Sequence, residues 1–265
     1  MIYSSFPKLS FIKYKKKILK KIENVINIGN YINSNEVNAF EKNLSDFINV
    51  KYSASVGNAT DAIYLSLKAL NVKKNDEIIT VSHTATATVM AILRCDAKPV
   101  LIDINENDFN IDFNLIQKKI TKKTKAIILV HLYGQSTDMS KIMKITKQNK
   151  LPLIEDCSQS AGADFKSKKL GAFGVLSCFS FFPTKNLSTI GDGGCVLSNN
   201  KYLINKIKSL RQYGWDSARN AKLIGINSRL DEIHAGILNI KLKSLTKDNE
   251  ERRSIAKRYN SGLKN

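Results

Sequence analysis

Residues 178–195 read "CFSFFPTKNLSTIGDGGC". Lys185 follows an aromatic run and a Pro-Thr, and a Gly-Asp-Gly-Gly turn lies just beyond. A solvated lysine needs no such setting; one that must be desolvated and held in a single geometry does. The uncharged run Leu176–Phe181 predicts a buried strand, and Gly194–Ser198 predicts another, so Lys185 sits in a connection between strands.

Toward the N-terminus the same strand pattern recurs at Tyr52–Val56, Glu77–Ser82, Pro99–Asp103, Ala126–His131 and Leu151–Asp156. Helical periods separate these runs at Asp61–Leu70, Thr86–Cys95, Phe113–Ile120 and Met139–Asn149, with another at Lys201–Arg211. Strand–helix alternation at intervals of roughly 20–30 residues predicts an α/β fold of βαβ units around a mostly parallel sheet flanked by helices. Leu230 to Leu263 reads as one or two long helices. Near the start, Lys13–Lys21 has Ile18, Ile22, Val25 and Ile26 at helical spacing, an amphipathic helix with a basic outer face.

Bulk properties bound the function. A chain of 265 residues can bury one large core or two small ones. The net charge of +19 points first to nucleic acid. However, the lysines are scattered, without the interleaved aromatics and arginines of a nucleic-acid face. Cys95, Cys157, Cys178 and Cys195 show no CxxC or metal spacing and read as free thiols in a reducing compartment. No signal-peptide pattern opens the chain, and the longest uncharged run, Leu170–Thr184, is too short to span a bilayer. These features predict a cytoplasmic protein with no nucleic-acid or membrane partner.

In an open parallel sheet, ligands bind beyond the carboxyl ends of the strands. The residues just past each predicted strand are therefore informative: "GNATDA" (Gly57–Ala62) opening a helix, His83-Thr84, His131, Glu155-Asp156 with Gln159, and Ser180 with Lys185. Each piece alone has an ordinary reading. Thr60 or Asp61 can be a plain helix cap, Asp156 a turn residue and "GDGG" a tight turn. His131 and His234 read as hydrogen-bonded structural residues, and no cluster has metal spacing, so no metal is expected. Together, an anion-grade helix start, an acid and a lysine on one rim match the needs of pyridoxal phosphate (PLP). That cofactor requires a phosphate cradle, a carboxylate at the ring nitrogen and a lysine that forms a Schiff base.

The blocks "GNATDAIYLSLKAL", "TKAIILVHLYGQSTDM", "LIEDCSQSAGA", "SFFPTKNLSTIGDGG" and "GINSRLDEIHAGIL", in this order, resemble the DegT/StrS family of sugar-nucleotide aminotransferases. The resemblance runs from about Gly29 to the last residues. It implies a PLP-dependent transferase of fold type I. It assigns Lys185 as the Schiff-base lysine and, with Asp156, as catalytic. Asp156 meets the ring nitrogen, and Gln159 contacts the 3-oxygen. Ser180 with the Ala59 and Thr60 amides forms the phosphate cradle. His83 precedes the residue that covers the ring, and Asn227 reaches the phosphate in the neighbouring subunit, so a homodimer is implied. Two departures stand out: Ala59 replaces the usual glycine, and Ala85 the aromatic ring cover found in many members.

"SHTATATVMAI", "RQYGW" and "DNEERRSIA" are similar to the branch that aminates C3 of dTDP-3-keto-6-deoxyhexoses, with glutamate as amino donor, for polysaccharide or glycan biosynthesis. The alternatives are a UDP-4-keto-sugar aminotransferase, an inosose aminotransferase, or a truncated, non-enzymatic PLP-binding or regulatory protein. A PLP sugar dehydratase carries His in place of Lys185. The expected division is an N-terminal helical arm (1–30), a PLP-binding large domain (31–245) and the start of a connecting helix (246–265). Family members usually continue into a small C-terminal domain that this sequence does not contain, and an exposed apolar face is expected where it would pack.

Overall fold

The computed structural model describes residues 5–263; the outermost residues of the expected arm and connecting helix, 1–4 and 264–265, lie outside the described residues. The chain opens with α1 (Pro7–Ile12), α2 (Lys15–Ile28) and α3 (Asn35–Ile48). It then alternates as β1 (Tyr52–Val56), α4 (Ala59–Ala69), β2 (Glu77–Val81), α5 (Thr86–Leu93), β3 (Lys98–Ile102), α6 (Phe113–Lys119), β4 (Thr124–Val130), α7 (Met139–Gln148) and β5 (Leu153–Asp156). A two-residue hairpin, β6 (Asp164–Phe165) and β7 (Lys168–Lys169), precedes β8 (Leu176–Ser180) and β9 (Gly194–Ser198). Helices α8 (Lys201–Leu210), α9 (Glu232–Leu242) and α10 (Leu245–Gly262) complete it.

Seven strands form one sheet in the order β1-β9-β8-β5-β4-β2-β3. The pairs from β8 through β5, β4 and β2 to β3 are parallel, whereas β9 runs antiparallel to both β1 and β8. Two antiparallel contacts around one strand restore direction, so β1 points the same way as β8. The carboxyl ends of β1, β8, β5, β4, β2 and β3 consequently share one rim, with the start of β9 among them. Strands buried on both faces need near-continuous apolar runs, and Ile127, Ile128 and Leu129 of β4 and Cys178 and Phe179 of β8 are all buried.

Helix α3 buries Val37, Phe40, Leu44 and Ile48, spaced for one helical face. Its first turn is capped from a distance. Glu232, at the start of α9, accepts hydrogen bonds from the Ser34, Glu36 and Val37 amides at 2.6, 2.7 and 3.2 Å. A carboxylate there satisfies orphan amides and complements the helix dipole. The basic helix read near the N-terminus is α2. It buries Ile18 and Val25, with Tyr14, Ile18 and Ile237 forming a small separate apolar cluster, while Ile26, expected on the same face, is exposed. On α10 Ile255 and Tyr259 are exposed, as is Leu263 just past its end.

The Lys185 connection is closed at its neck. Phe181 donates its amide to Gly193 and accepts from the Thr189 amide, both at 2.8 Å. Alternation explains the aromatic run: Phe179 and Phe181 are buried, Phe181 lies edge-on to Phe40 with centroids 5.1 Å apart, and Phe182 turns outward. From below, buried Lys241 of α9 donates to Ser188 Oγ at 2.6 Å. Burial pushes the Lys241 amine down to about 8, against the opposing pull of Asp248. Asn249 of α10 accepts from Asn186 Nδ2 at 3.0 Å and donates to the Ala161 carbonyl at 3.0 Å.

The last glycine of "GDGG" has a steric reason. A Cβ on Gly194 would lie 2.5 Å from the Asn58 carbonyl carbon and 2.9 Å from the Ala59 amide nitrogen. Only glycine lets the β1–α4 turn approach β9 this closely. Gly194→Ala is expected to displace that turn and cost about 1–3 kcal/mol, read as a lower urea midpoint with unchanged slope.

Candidate active site

Six residues expected at the site line one inner cavity of about 210 Å³: Ala59, Thr60, Asp156, Gln159, Ser180 and Lys185. They come from the ends of β1, β5 and β8 and from the connections just beyond. A larger chamber of about 570 Å³ is also bounded by Gln159 and Lys185 and extends to Arg252 and Arg253 on α10.

The start of α4 forms part of the cavity wall. Asn58 Oδ1 accepts from the Asp61 amide at 2.8 Å, and the Asn58 carbonyl accepts from the Ala62 amide. The Ala59 and Thr60 amides find no acceptor among the described residues. A helix start with two open amides favours an anion. The cap is thus Asn58, rather than Thr60 or Asp61, and Asp61 instead pairs with Arg94 at 2.6 Å. Ser228 braces the turn by accepting from the Gly57 amide at 2.9 Å.

Asp156, which is 4% exposed, also lines the cavity. Its Oδ1 accepts from the Ser158 amide at 3.1 Å and its Oδ2 from Thr88 Oγ1 at 2.8 Å. Lys185 lines the same cavity, half-buried. Desolvation lowers its amine from the ordinary lysine value, and the negative charge of Asp156 works against that shift. Gln159 Oε1 accepts from the Tyr133 amide at 3.0 Å. That contact fixes the orientation of its amide group and holds Tyr133 in the left-handed region at φ 57°.

Two expected residues stand apart from this cavity. His83 is exposed, 3.2 Å from the Tyr133 hydroxyl, and does not line the inner chamber. Asn227 is exposed on a bridge to Gln212, also outside it. Sequence reasoning missed Thr88 and Asn58. The signal for Asn58 was available, since asparagine before a helix is a strong cap. Thr88 lay in a threonine-rich run with nothing to single it out.

Glu155 and Asp156 part company because side chains alternate along a strand. Glu155 faces away and is fully buried. Its carboxylate accepts from the Gly171, Phe173 and Gly174 amides and contacts His131 Nε2 at 3.0 Å. Those donors hold it below the usual carboxylate range despite its burial. Cys157 is close enough for these three residues to resemble a metal ligand set. Both Glu155 oxygens, however, already accept two hydrogen bonds, so the group reads as a structural lock on β5. All four cysteines are free and buried, and burial raises their thiols, Cys95 to about 11 and Cys195 to about 12.

A half-buried amine, a fixed carboxylate and an open helix start thus bound one small chamber at the carboxyl rim of an α/β sheet, a setting suited to an anionic ligand. Residues 13–265 match the DegT/DnrJ/EryC1/StrS aminotransferase family, and the chain belongs to it. It is 42% identical over 254 residues to the dTDP-3-amino-3,6-dideoxy-alpha-D-galactopyranose transaminase of Aneurinibacillus thermoaerophilus, covering 96% of this chain and 70% of that protein. It is 38% identical to the UDP-2-acetamido-2-deoxy-3-oxo-D-glucuronate aminotransferase of Pseudomonas aeruginosa, covering 95% and 70%. Among solved structures, DesV of S. venezuelae superposes with a TM-score of 0.95 at 33% identity, covering 97% of this chain and 70% of that one. The ntda protein of Bacillus subtilis, solved with bound cofactor PMP, superposes at 0.90 with 31% identity, covering 95% and 57%. The fold is that of these aminotransferases: a mixed, mostly parallel sheet flanked by helices.

Proposed function

We propose that the chain is a PLP-dependent aminotransferase that moves an amino group from glutamate to C3 of a nucleotide-linked keto sugar, with a dTDP-3-keto-6-deoxyhexose as the favoured substrate. The observation that carries this reading is the shared cavity: Lys185, Asp156 and the open amides of Ala59 and Thr60 bound one chamber. The Aneurinibacillus and Pseudomonas relatives both act at the 3-position of a sugar nucleotide, by their names, which supports C3 over the 4-keto alternative.

The residues present fit the cofactor's three demands. The α4 amides and Ser180 would take its phosphate, Asp156 its ring nitrogen, and Lys185 its aldehyde. When bound there, PLP supplies a carbonyl that an amine can capture and a ring that accepts electrons from the bond being broken. The protein supplies the proton handling. Burial favours the neutral Lys185 amine, which can take a proton as a general base, and Asp156 favours the charged form, which can return it. Gln159, fixed by the Tyr133 amide, offers a donor at the chamber wall. Arg252 and Arg253 give the outer chamber a basic lining suited to anionic substrates. We assign residues 1–30 as the arm, 31–245 as the cofactor-binding body and 246–265 as the start of a connecting helix. Asn227 is assigned to the site of a second subunit.

The test is a half-reaction. Apoprotein is reconstituted with PLP, glutamate is added without acceptor, and the visible absorption is followed. Its loss, with formation of 2-oxoglutarate, is the expected result. A reconstituted protein whose spectrum ignores glutamate and other amino acids would favour the non-enzymatic alternative.

A further inference from the structure

Beside Asp156 runs a short chain of hydroxyls. Thr88 is fully buried on the first turn of α5, and its Oγ1 lies 2.8 Å from Asp156 Oδ2 and 3.1 Å from Thr84 Oγ1. A threonine hydroxyl carries one proton and can accept as well. A carboxylate can only accept. The Thr88 proton therefore goes to Asp156, and the contact between the two threonines is a hydrogen bond only with Thr84 as donor. The direction is fixed: Thr84 donates to Thr88, and Thr88 donates to the acid. Thr84, Thr88 and Asp156 all line the inner cavity, so the chain runs along its wall to the carboxylate.

Resting on the reading of Asp156 as partner of the cofactor's ring nitrogen, we infer that Thr84 and Thr88 are positioning residues forming a two-hydroxyl relay for that acid. The relay does two things. It fixes the rotation of the carboxylate, with Oδ2 held by Thr88 and Oδ1 by the Ser158 amide. It also supplies a directed donor that opposes a proton on Oδ2. A proton on Oδ2 would face the Thr88 proton and force both hydroxyls to turn. Chained hydroxyls polarise one another, so the outer threonine strengthens the inner bond. The relay thus presents the carboxylate in one orientation, and among the described residues no cationic side chain hydrogen-bonds to it.

The experiment separates this role from simple packing. Wild type, Thr88→Val, Thr88→Ser and Thr84→Val apoproteins are titrated with PLP and with its 1-deaza analogue, in which a C–H replaces the ring nitrogen. Thr88→Val keeps the β-branched shape and removes the hydroxyl. It is expected to weaken PLP about tenfold, the scale of one hydrogen bond to a charged group, and the analogue less than about twofold. Thr88→Ser should restore PLP binding. Thr84→Val should weaken PLP about threefold in the same selective pattern, and it carries the test if Thr88→Val does not fold. Equal weakening of both ligands, or no weakening of PLP, overturns the relay while leaving the cofactor assignment standing. A wild-type protein that takes up neither ligand overturns the cofactor reading and the relay together.

Discussion

Lys185→Ala, incubated with PLP and then borohydride, is expected to carry no covalent label, whereas the wild-type protein should be labelled at a single peptide containing Lys185. The chain is rich in lysines, so selectivity for one of them is a stringent outcome. It follows from partial burial, which leaves more of this amine neutral and reactive at a given pH than a solvated lysine. The effect has a sign. Labelling of Lys185 should persist as pH falls through the range where surface lysines become too fully protonated to react. In turnover, loss of the group that both captures the carbonyl and moves the proton should lower kcat by roughly 10⁴-fold. Labelling spread evenly over surface lysines, or retained in the alanine variant, would sink the assignment.

Asp156→Asn should come next in size. The amide keeps the shape of the side chain and removes the charge, and electrostatic groups of this kind are worth about 10²–10³-fold in kcat. The variant also disturbs its own contacts. An asparagine offers one acceptor oxygen where Thr88 Oγ1 and the Ser158 amide both donate, so one donor is left facing an NH2 group. A stability loss of about 1–3 kcal/mol should accompany the catalytic one. The two are separable: PLP should still bind covalently to Lys185, with chemistry rather than capture impaired. A variant that turns over as well as wild type would show that Asp156 does not serve the ring.

Much of the sheet was legible because parallel strands buried on both faces advertise themselves as short apolar runs. β1 and β9 fall at the expected residues, and the other five large strands within about two residues, the usual uncertainty at element ends. The reversal of β9 was not legible, since direction is set by pairing with distant β1 rather than by composition. Helix α3 was not among the expected elements although Val37, Phe40, Leu44 and Ile48 mark its face. The β6–β7 hairpin turns at Lys166 and Ser167, both at positive φ, with no glycine to announce it. For the site, the ends of strands gave Asp156, Ser180 and Lys185. The resemblance had already chosen Asp156 over Glu155, and the alternation along β5 gives the physical reason, whereas Thr88 was not legible because its bond to Asp156 joins residues far apart in sequence.

The pairing of Tyr52 with Ser198 sets an order of events during synthesis. Chains emerge amino end first, and β1 leaves the ribosome long before β9 exists to receive it. Until then β1 has no neighbour in the sheet, and the α4 turn beyond it lacks the strand that Gly194 presses against it. So distant a contact is slow to close. The α4 side of the chamber should therefore be the last part of this protein to mature, and nascent chains shorter than about 200 residues should be unable to complete it, however complete their middle strands.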